Sequence, residues 1–341
     1  MILEGTILTG RAFEAVEGRV VVEDGQIADI EEIAVDSDDI VVPAFVNAHT
    51  HIGDSIAKEA GEGLSLEELV APPGGLKHRL LRDASRDELV AAMERSLSFM
   101  KESGTGAFIE FREGGVKGVR AIQDALSNSP LESVVLGRET TDAMELADGF
   151  GASGANDSEF GPERRATRQA GKLFGIHAGE IDRSDINPAL DLDPDFLVHM
   201  VHAESLHLER VADSGIPVVV CPRSNIVTDA GRPPVEELAD RTTVALGTDN
   251  VMLNSPSMFR EMEFTAKLYD LSAREVLRMA TVNGAEIAGL GGGLIKTGQP
   301  ARLLVLNGDS DNLAGAQNPA RAIVRRAGTA DVRRVVHPMT E

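Results

Sequence analysis

The segment Pro43-Ala44-Phe45-Val46-Asn47-Ala48-His49-Thr50-His51 is a short apolar run that ends in two histidines one residue apart. Side chains alternate across an extended strand, so His49 and His51 point to the same side of it. Two surface histidines can fall at this spacing by chance, and the motif alone is a weak indication of a metal site. Because it closes a predicted buried strand, it nevertheless indicates where a functional face of the fold would lie.

Three later segments repeat this design and place polar groups at or just after the end of an apolar run. They are His177-Ala178-Gly179-Glu180, Val198-His199-Met200-Val201-His202 and Gly247-Thr248-Asp249-Asn250. In a parallel α/β barrel the carboxyl ends of the strands meet at one face, where catalytic groups lie. Five of the eight histidines fall in these four motifs. We therefore predict that the motifs converge on one site.

Strand-like runs and helical stretches alternate through the centre of the chain. The predicted strands cover residues 45–49, 106–111, 133–136, 148–152, 173–177, 196–199, 217–220 and 243–247. Helical patterns are clearest at residues 86–103, 163–170, 205–214, 257–269 and 273–280. Eight strands that alternate with helices are typical of a closed parallel sheet. We therefore predict an α/β fold in which residues 45–294 form a (β/α)8 TIM barrel.

Short strands are also predicted at both ends of the chain. They include residues 20–22, 26–30 and 40–43 near the start and 302–306, 322–324 and 332–336 near the end. Two strand-rich ends on either side of an α/β centre favour a single accessory unit. We predict that residues 1–44 and 295–341 together form a small β-sandwich domain.

Composition limits the classes to which the protein can belong. The 341 residues are 42% hydrophobic, which suits one barrel with a small accessory domain. There is no run of 18 apolar residues and no signal-peptide pattern at the start, so we expect no membrane association. The single cysteine, Cys221, fits a reducing cytoplasm.

The net charge of −22 argues against a nucleic-acid partner, because phosphates would be repelled. A small-molecule substrate is expected instead, and a homo-oligomer is left open. Seven lysines stand against twenty-six arginines. This acidic, lysine-poor composition resembles that of halophile proteins, in which salt screens self-repulsion. An ordinary acidic cytosolic enzyme is the alternative.

Taken together, the motifs resemble those of the amidohydrolase superfamily, in the branch of cytosine, guanine and S-adenosylhomocysteine deaminases and triazine chlorohydrolases. The resemblance covers nearly the whole chain and weakens between residues 53 and 171. The segments that carry it are residues 43–51, 177–180, 198–225, 247–250, 257–259 and 298–306.

The resemblance implies a role for each strand-end group. It assigns His49, His51, His177 and Asp249 to a metal ion, His199 to contact with the metal-bound water or the substrate, and Glu180 to proton transfer. Three imidazoles and one carboxylate suit a divalent ion with an open position for water, whose pKa the ion would lower. Zinc is favoured, with iron and manganese left open. Glu180, His199 and Asp249 are accordingly the predicted catalytic groups.

One metal ion per chain is predicted. Binuclear members of the superfamily use a carboxylated lysine at the end of the fourth strand, and residues 149–154 contain no lysine. Lys172 lies at the opposite end of the next predicted strand. Glu110 or Glu139 as an additional carboxylate ligand is left open, and His202 is left without a role.

Substrate selection is predicted at two arginines that follow the second and third strands. Arg112 and Arg138 can each bind a carboxylate, a phosphate or a ring carbonyl through two parallel hydrogen bonds. The alternative is a structural ion pair with Glu110, Glu113 or Glu139. The remaining histidines, 78, 207 and 337, are expected at the surface.

These residues predict a metal-dependent amidohydrolase that releases ammonia from an aminated nitrogen heterocycle, such as an aminopurine, an aminopyrimidine or a related nucleoside. The alternative is a hydrolase that opens a cyclic amide, or breaks another C–N or a C–Cl bond, with the same centre. A non-catalytic scaffold on this fold is the least favoured, because such proteins typically lose metal ligands and this chain keeps the full set.

Overall fold

The computed structural model describes residues 1–70 and 74–338. In chain order its strands are β1 (Ile2–Thr9), β2 (Glu14–Glu23), β3 (Gln26–Glu32), β4 (Ile40–Pro43), β5 (Phe45–His51), β6 (Thr105–Arg112), β7 (Glu132–Gly137), β8 (Gly149–Ala152), β9 (Leu173–Ala178), β10 (Phe196–His199), β11 (Val218–Val220), β12 (Val244–Leu246), β13 (Asp249–Asn250), β14 (Leu303–Leu306) and β15 (Val332–Val336).

The α-helices are α1 (Leu66–Val70), α2 (Leu76–Asp83), α3 (Arg86–Glu102), α4 (Gly115–Leu126), α5 (Thr141–Leu146), α6 (Gly161–Ala170), α7 (Ile186–Asp191), α8 (Ser205–Ser214), α9 (Pro222–Val227), α10 (Val235–Ala239), α11 (Met258–Leu268), α12 (Ala273–Met279), α13 (Val282–Ile287) and α14 (Pro319–Arg325). Short 3₁₀ helices lie at Ile52–Ala57 and Thr329–Asp331. Among the described residues, no helix is long and apolar enough to cross a membrane.

The central sheet is parallel and curls back on itself. Its strand order runs from β12 through β11, β10, β9, β8, β7, β6 and β5 to β13. The two outermost strands, β12 and β13, belong to one stretch of chain, residues 244–250, which pairs with β11 on one side and with β5 on the other. This is the α/β architecture of a TIM-type barrel, as predicted. Each of the eight predicted strands is present; the last, predicted at residues 243–247, is β12, and β13 follows it as a separate short strand.

The junction between the first and last strands explains two residues of the sequence motifs. A Cβ atom at Gly247 would lie 2.6 Å from the Cβ atom of His49, so the close approach of the two strands requires glycine. Asn47 forms two hydrogen bonds with Thr248. Its amide nitrogen donates to Thr248 Oγ1 at 2.7 Å, and its amide oxygen accepts from the Thr248 backbone N–H at 3.0 Å. Both side chains are buried.

Aromatic packing fills the barrel beneath the strand-end groups. The Phe111 ring lies 4.5 Å from the His49 ring and 5.0 Å from the His177 ring, measured between centroids. Glycines on the neighbouring strands make room for it, since a Cβ atom at Gly151 or Gly175 would come within 2.5 Å or 2.7 Å of the Phe111 ring. The histidines therefore rest on a closely packed apolar floor.

The two ends of the chain meet in a second sheet. Its six strands have the order β15, β14, β4, β1, β2, β3, with β4 parallel to β1 and antiparallel to β14. Alternate apolar side chains of these strands form a small core that includes Ile7, Val20, Val41 and Leu303. Both termini thus contribute to one β-structure, while the sandwich arrangement stays a prediction.

One predicted strand was wrong, because residues 322–324 lie in helix α14. The helix begins at Asn318, whose side chain accepts from the Arg321 backbone N–H at 3.0 Å, and Pro319 occupies its first turn. Its buried face, with Ile323 at its centre, packs against α11 and α12. The expectation of surface histidines was also wrong for His207 and His337, which are buried.

Candidate metal centre and active site

The structure brings the predicted metal and catalytic residues together at the carboxyl ends of the strands. Potential ligand atoms lie within 4.8 Å of one another in three overlapping groups: His49, His51 and Asp249; His49, His177 and His199; and Glu180, His199 and Asp249. Three of these side chains, His49, His199 and Asp249, each occur in two groups. The six residues therefore surround one small volume.

His49 is the clearest indication that this volume suits a cation. Its side chain has no solvent exposure, and neither ring nitrogen makes a well-formed hydrogen bond. Nε2 lies 3.3 Å from Oδ1 of Asp249. Burial lowers the pKa of His49, which keeps the imidazole neutral. A neutral, buried imidazole without hydrogen bonds is costly unless its lone pair meets a ligand, so the donor set fits a divalent ion.

His51 and His177 are both oriented by their Nδ1 atoms. Nδ1 of His51 lies 2.7 Å from Oε1 of Glu113 and 3.1 Å from the carbonyl oxygen of Phe111. Nδ1 of His177 lies 2.7 Å from the carbonyl oxygen of Ala152. Since these oxygens accept, each Nδ1 carries the proton and each Nε2 presents a lone pair. Metal-binding histidines are typically held in this way.

Asp249 is fixed through both carboxylate oxygens. The Ser224 hydroxyl donates to Oδ2 at 2.6 Å, and the Asn250 amide donates to Oδ1 at 3.0 Å. Burial opposes ionisation, but the His49 ring, 3.3 Å from Oδ1, holds the pKa of Asp249 well below its usual range. The backbone φ of Asp249 is +59°, a strained value that turns the carboxylate inward.

Glu180 and His199 face each other across the cavity. Nε2 of His199 lies 3.4 Å from Oε2 of Glu180, and the Glu180 side chain keeps 17% of its surface exposed. Burial raises the pKa of Glu180. Nδ2 of Asn225 lies 3.1 Å from Nδ1 of His199, and an amide that donates there leaves the ring proton on Nε2. Gly179 permits the tight turn before Glu180, with φ of +65°.

A cavity of about 230 Å³ opens onto these groups. Its lining includes Leu66, Glu67 and Val70 of α1 and the strand-end residues His51, His177, Glu180, His199 and Asp249. A larger cavity of about 940 Å³ adjoins it, and the two share Arg138, Ser153 and Asp157. A substrate in the smaller cavity could therefore extend into the larger one.

The two predicted substrate-binding arginines have different surroundings. Arg112 is buried, with Nη1 3.4 Å from Oε1 of Glu110 and Nη2 3.6 Å from Oε2 of Glu113. It lines the larger cavity but not the smaller one. Arg138 also contacts Glu113, through Nη1 at 3.1 Å from Oε1, but it borders both cavities. The surroundings of Arg112 thus match the alternative of a structural ion pair. Arg138 forms an ion pair with Glu113 and also lines the cavity beside the strand-end groups.

The other acidic candidates lie away from the convergent groups. Glu110 is buried and accepts from Thr50 Oγ1 at 2.7 Å and from the Ile52 backbone N–H at 2.9 Å, while burial raises its pKa to about 7. Oε1 of Glu139 accepts from the Gly114 backbone N–H at 2.8 Å. Neither carboxylate is in the ligand groups found among the described residues, and neither is His202.

Sequence reasoning missed Lys77 and passed over the roles of Glu113, Ser224 and Asn250. Lys77 is 3% exposed and borders the smaller cavity. Its Nζ lies 2.7 Å from Oε1 of Glu113 and 2.9 Å from Oδ1 of Asn250. Glu113 directly follows Arg112 after β6, and Ser224 and Asn250 lie within quoted motifs, so strand-end position was the available signal. Lys77 lies on α2 and offered none.

Comparison with known proteins agrees with this geometry. The chain is 34% identical to a protein of Methanothermobacter thermautotrophicus that is provisionally named an aminohydrolase, over 96% of this chain and 95% of the relative. It is 28% identical to the 5-methylthioadenosine/S-adenosylhomocysteine deaminase of Haloarcula marismortui, over 93% of this chain and 84% of that enzyme.

The fold is shared with a solved structure at lower identity. An adenosine deaminase from Xanthomonas campestris, solved with bound zinc, superposes with a TM-score of 0.83 at 19% identity, over 99% of this chain and 91% of that chain. The sequence pattern of the amidohydrolase family matches residues 40–191 and 166–336. The chain therefore belongs to the amidohydrolase family.

Proposed function

We propose that this protein is a metal-dependent deaminase that removes an exocyclic amine from a nitrogen heterocycle, with an adenosine-like nucleoside as the favoured substrate class. The placement of Glu180 carries the proposal, because its carboxyl group lines one small cavity with His199 and Asp249, and a ring nitrogen of His49 lies within 4.8 Å of the ligand atoms of each of these two residues. The similarity to a deaminase of 5-methylthioadenosine and S-adenosylhomocysteine supports the substrate class.

His49, His51, His177 and Asp249 are the proposed ligands of one divalent ion, with zinc favoured. When bound, such an ion would supply hydroxide from water at neutral pH. The neutral imidazoles of His51 and His177 present Nε2 lone pairs to it, since their Nδ1 protons are engaged elsewhere. Asp249 is the anionic member of the set, and its oxygens are aimed by Ser224 and Asn250.

Glu180 is the proposed carrier of protons. Burial raises the pKa of this carboxyl group, and its protonated form can deliver a proton to the ring nitrogen beside the reacting carbon. Asp249 can then accept the proton of the added hydroxyl group, and the Glu180 carboxylate can pass that proton to the departing amine, which leaves as ammonia. Nε2 of His199 is placed to donate toward the oxygen that becomes bonded to the ring carbon.

The remote part of the substrate is proposed to extend past Arg138 into the larger cavity. Arg138 borders both cavities, and its guanidinium is already anchored by Glu113. Arg112 is proposed to support this region indirectly, because its own guanidinium is enclosed by Glu110 and Glu113. A planar guanidinium at this position suits a carboxylate, a phosphate or a ring carbonyl.

The remaining expectations stay proposals. The terminal β-structure, residues 1–44 and 295–341, is proposed as a small domain beside the barrel of residues 45–294, and its sandwich form rests on the strand-rich sequence. A cytoplasmic location rests on the single, buried Cys221. Function in a salt-rich cell rests on the net charge of −22.

The test is a screen of aminopurines, aminopyrimidines and their nucleosides for ammonia release by zinc-loaded protein, at low and at molar salt. Stoichiometric ammonia from at least one compound is expected, with loss of its exocyclic amine. Glu180→Gln, loaded with the same amount of zinc, is the matched control and should release little. Opening of cyclic amides, or release of chloride from triazines, without ammonia would replace this function with the alternative hydrolase.

A further inference from the structure

Lys77 is a buried cation that the proposed chemistry does not use. It lies on α2, outside the barrel strands, yet only 3% of it is exposed. Its Nζ is within hydrogen-bonding distance of Glu113 Oε1, at 2.7 Å, and of Asn250 Oδ1, at 2.9 Å, and lies 4.0 Å from Asp54 Oδ2. Burying an ammonium group is costly unless its partners are well placed, so this position requires an explanation.

Each of the two close partners of Lys77 holds a proposed metal ligand. Glu113 Oε1, which Lys77 contacts, also lies 2.7 Å from Nδ1 of His51. Asn250, whose Oδ1 accepts from Lys77, donates through Nδ2 to Oδ1 of Asp249 at 3.0 Å. A continuous chain of hydrogen bonds therefore joins His51 at the end of β5 to Asp249 in β13, with Lys77 at its centre.

We propose that Lys77 is a positioning residue that holds His51 and Asp249 in register for metal binding, acting through Glu113 and Asn250. The inference rests on the proposed function only in taking these two residues as metal ligands. Among the described residues, Lys77 is the one side chain with a nitrogen in hydrogen-bonding range of both Glu113 and Asn250. Arg138 also contacts Glu113, through Nη1 at 3.1 Å from Oε1.

The chain of contacts implies a definite consequence for metal affinity. Partners of metal ligands fix the direction of the ligand lone pairs, and their loss typically weakens metal binding about 10-fold to 100-fold. Removing the ammonium group would release the Asn250 oxygen and leave Glu113 with Arg138, Arg112 and His51. Two ligands would then lose a shared support at once, although the ligands themselves are unchanged.

The experiment measures zinc affinity by competition with a chromogenic chelator, in the absence of substrate. Lys77→Met should lower the affinity about 10-fold to 100-fold. The matched control is Lys296→Met, at an exposed lysine of the same chain, which should leave affinity unchanged. If Lys77→Met does not fold, Lys77→Gln, which removes the charge and keeps a donor, provides the same comparison and should weaken binding less.

A double-mutant cycle tests the route through Glu113. If Lys77 acts through this carboxylate, Lys77→Met should cost markedly less zinc affinity in a Glu113→Gln background than in the native protein. An equal loss of zinc affinity in the two backgrounds would show that Lys77 does not act through Glu113. Unchanged zinc affinity with a raised KM would overturn the proposal and assign Lys77 to substrate contact. Zinc binding is measured without turnover, so the two proposals can fail separately. If the protein binds zinc but releases no ammonia, the proposed function is refuted, while the effect of Lys77→Met on zinc affinity still tests the role of Lys77.

Discussion

The hydroxyl oxygen of Ser224 lies 2.6 Å from Oδ2 of Asp249, so a residue at the start of α9 orients a carboxylate that belongs to β13. The other carboxylate oxygen accepts from Asn250, and the backbone of Asp249 has φ of +59°. The direction of this carboxylate is therefore determined from both of its oxygens and from its own backbone. Loss of one of its supporting hydrogen bonds should therefore weaken metal binding, although less than loss of the carboxylate itself.

Ser224→Ala should weaken zinc binding about 10-fold to 100-fold without preventing folding, because it removes a donor to Asp249 and leaves the ligand in place. Asp249→Ala should abolish tight binding. Chelator competition measures both, and circular dichroism reports on folding. Native zinc affinity in Ser224→Ala would show that Asn250 and the backbone suffice to orient Asp249.

The protein should contain about one tightly bound divalent ion per chain, because the four proposed ligands lie around one small volume. His49→Ala should remove this ion, since His49 takes part in two of the three ligand groups. Elemental analysis of protein purified without chelator gives the ratio. Two tightly bound ions per chain would contradict a mononuclear centre and would favour Glu110 as an additional carboxylate ligand.

Much of this site follows from the sequence because its residues end strands. The apolar runs before His49, His177 and Asp249 predict buried parallel strands, and strand ends of a barrel meet at one face. Lys77 escaped notice because its position depends on how α2 folds over the barrel. No local pattern distinguishes it from the other six lysines. Its burial is a consequence of tertiary contacts alone.

The two fold details that sequence reasoning missed have equally physical causes. The separation of β12 from β13 accompanies a change of partner that no local pattern shows, because the Gly247 backbone N–H donates to Val220 whereas the Thr248 backbone N–H donates to His49. The error at residues 322–324 arose because β-branched and apolar residues favour strands in isolation. The Asn318-Pro319 pair, which begins α14, was the local signal that could have corrected it.

Glu180→Gln should lower kcat by roughly 100-fold or more while leaving zinc content and folding unchanged, because the amide cannot carry the transferred proton. The carboxyl group contacts His199, and its loss should not disturb the ligands His49, His51 and His177. Steady-state kinetics on the substrate found in the screen, together with elemental analysis, measure both quantities. Near-native turnover at full zinc occupancy would mean that another group moves the proton.

The thermal stability of the protein should rise as KCl increases from about 0.1 M toward molar concentration, because salt screens repulsion between exposed charges. The net charge of −22 makes this repulsion large for a chain of 341 residues. The buried contacts among Lys77, Glu113 and Arg138 should respond little, since they are shielded from solvent. A melting temperature that stays flat or falls over this range would remove the argument for a salt-rich cell.

Metal-free protein should lose stability as the pH falls from about 6.5 toward 4, because several buried histidines resist protonation in the folded state. Burial, aided by the charges of Arg302 and Lys101, lowers the pKa of His337 to about 4. Burial and Lys77 lower the pKa of His78 to about 4 as well. An unfolded chain binds protons at these residues near pH 6.5, so within this window it binds more protons than the folded chain and is favoured by acid.

His337 separates this effect from the metal centre, since it follows β15 in the terminal sheet, outside the barrel strands. His337→Gln removes one of the groups that the unfolded chain can protonate in this window, so the variant should lose less stability than the native protein between pH 7 and pH 5. The expected difference is on the order of 2 kcal/mol, by linkage of the lowered pKa to folding. Urea denaturation of chelator-treated protein at the two pH values measures it. An equal loss of stability in both proteins would mean that His337 is protonated as readily in the folded chain as in the unfolded one.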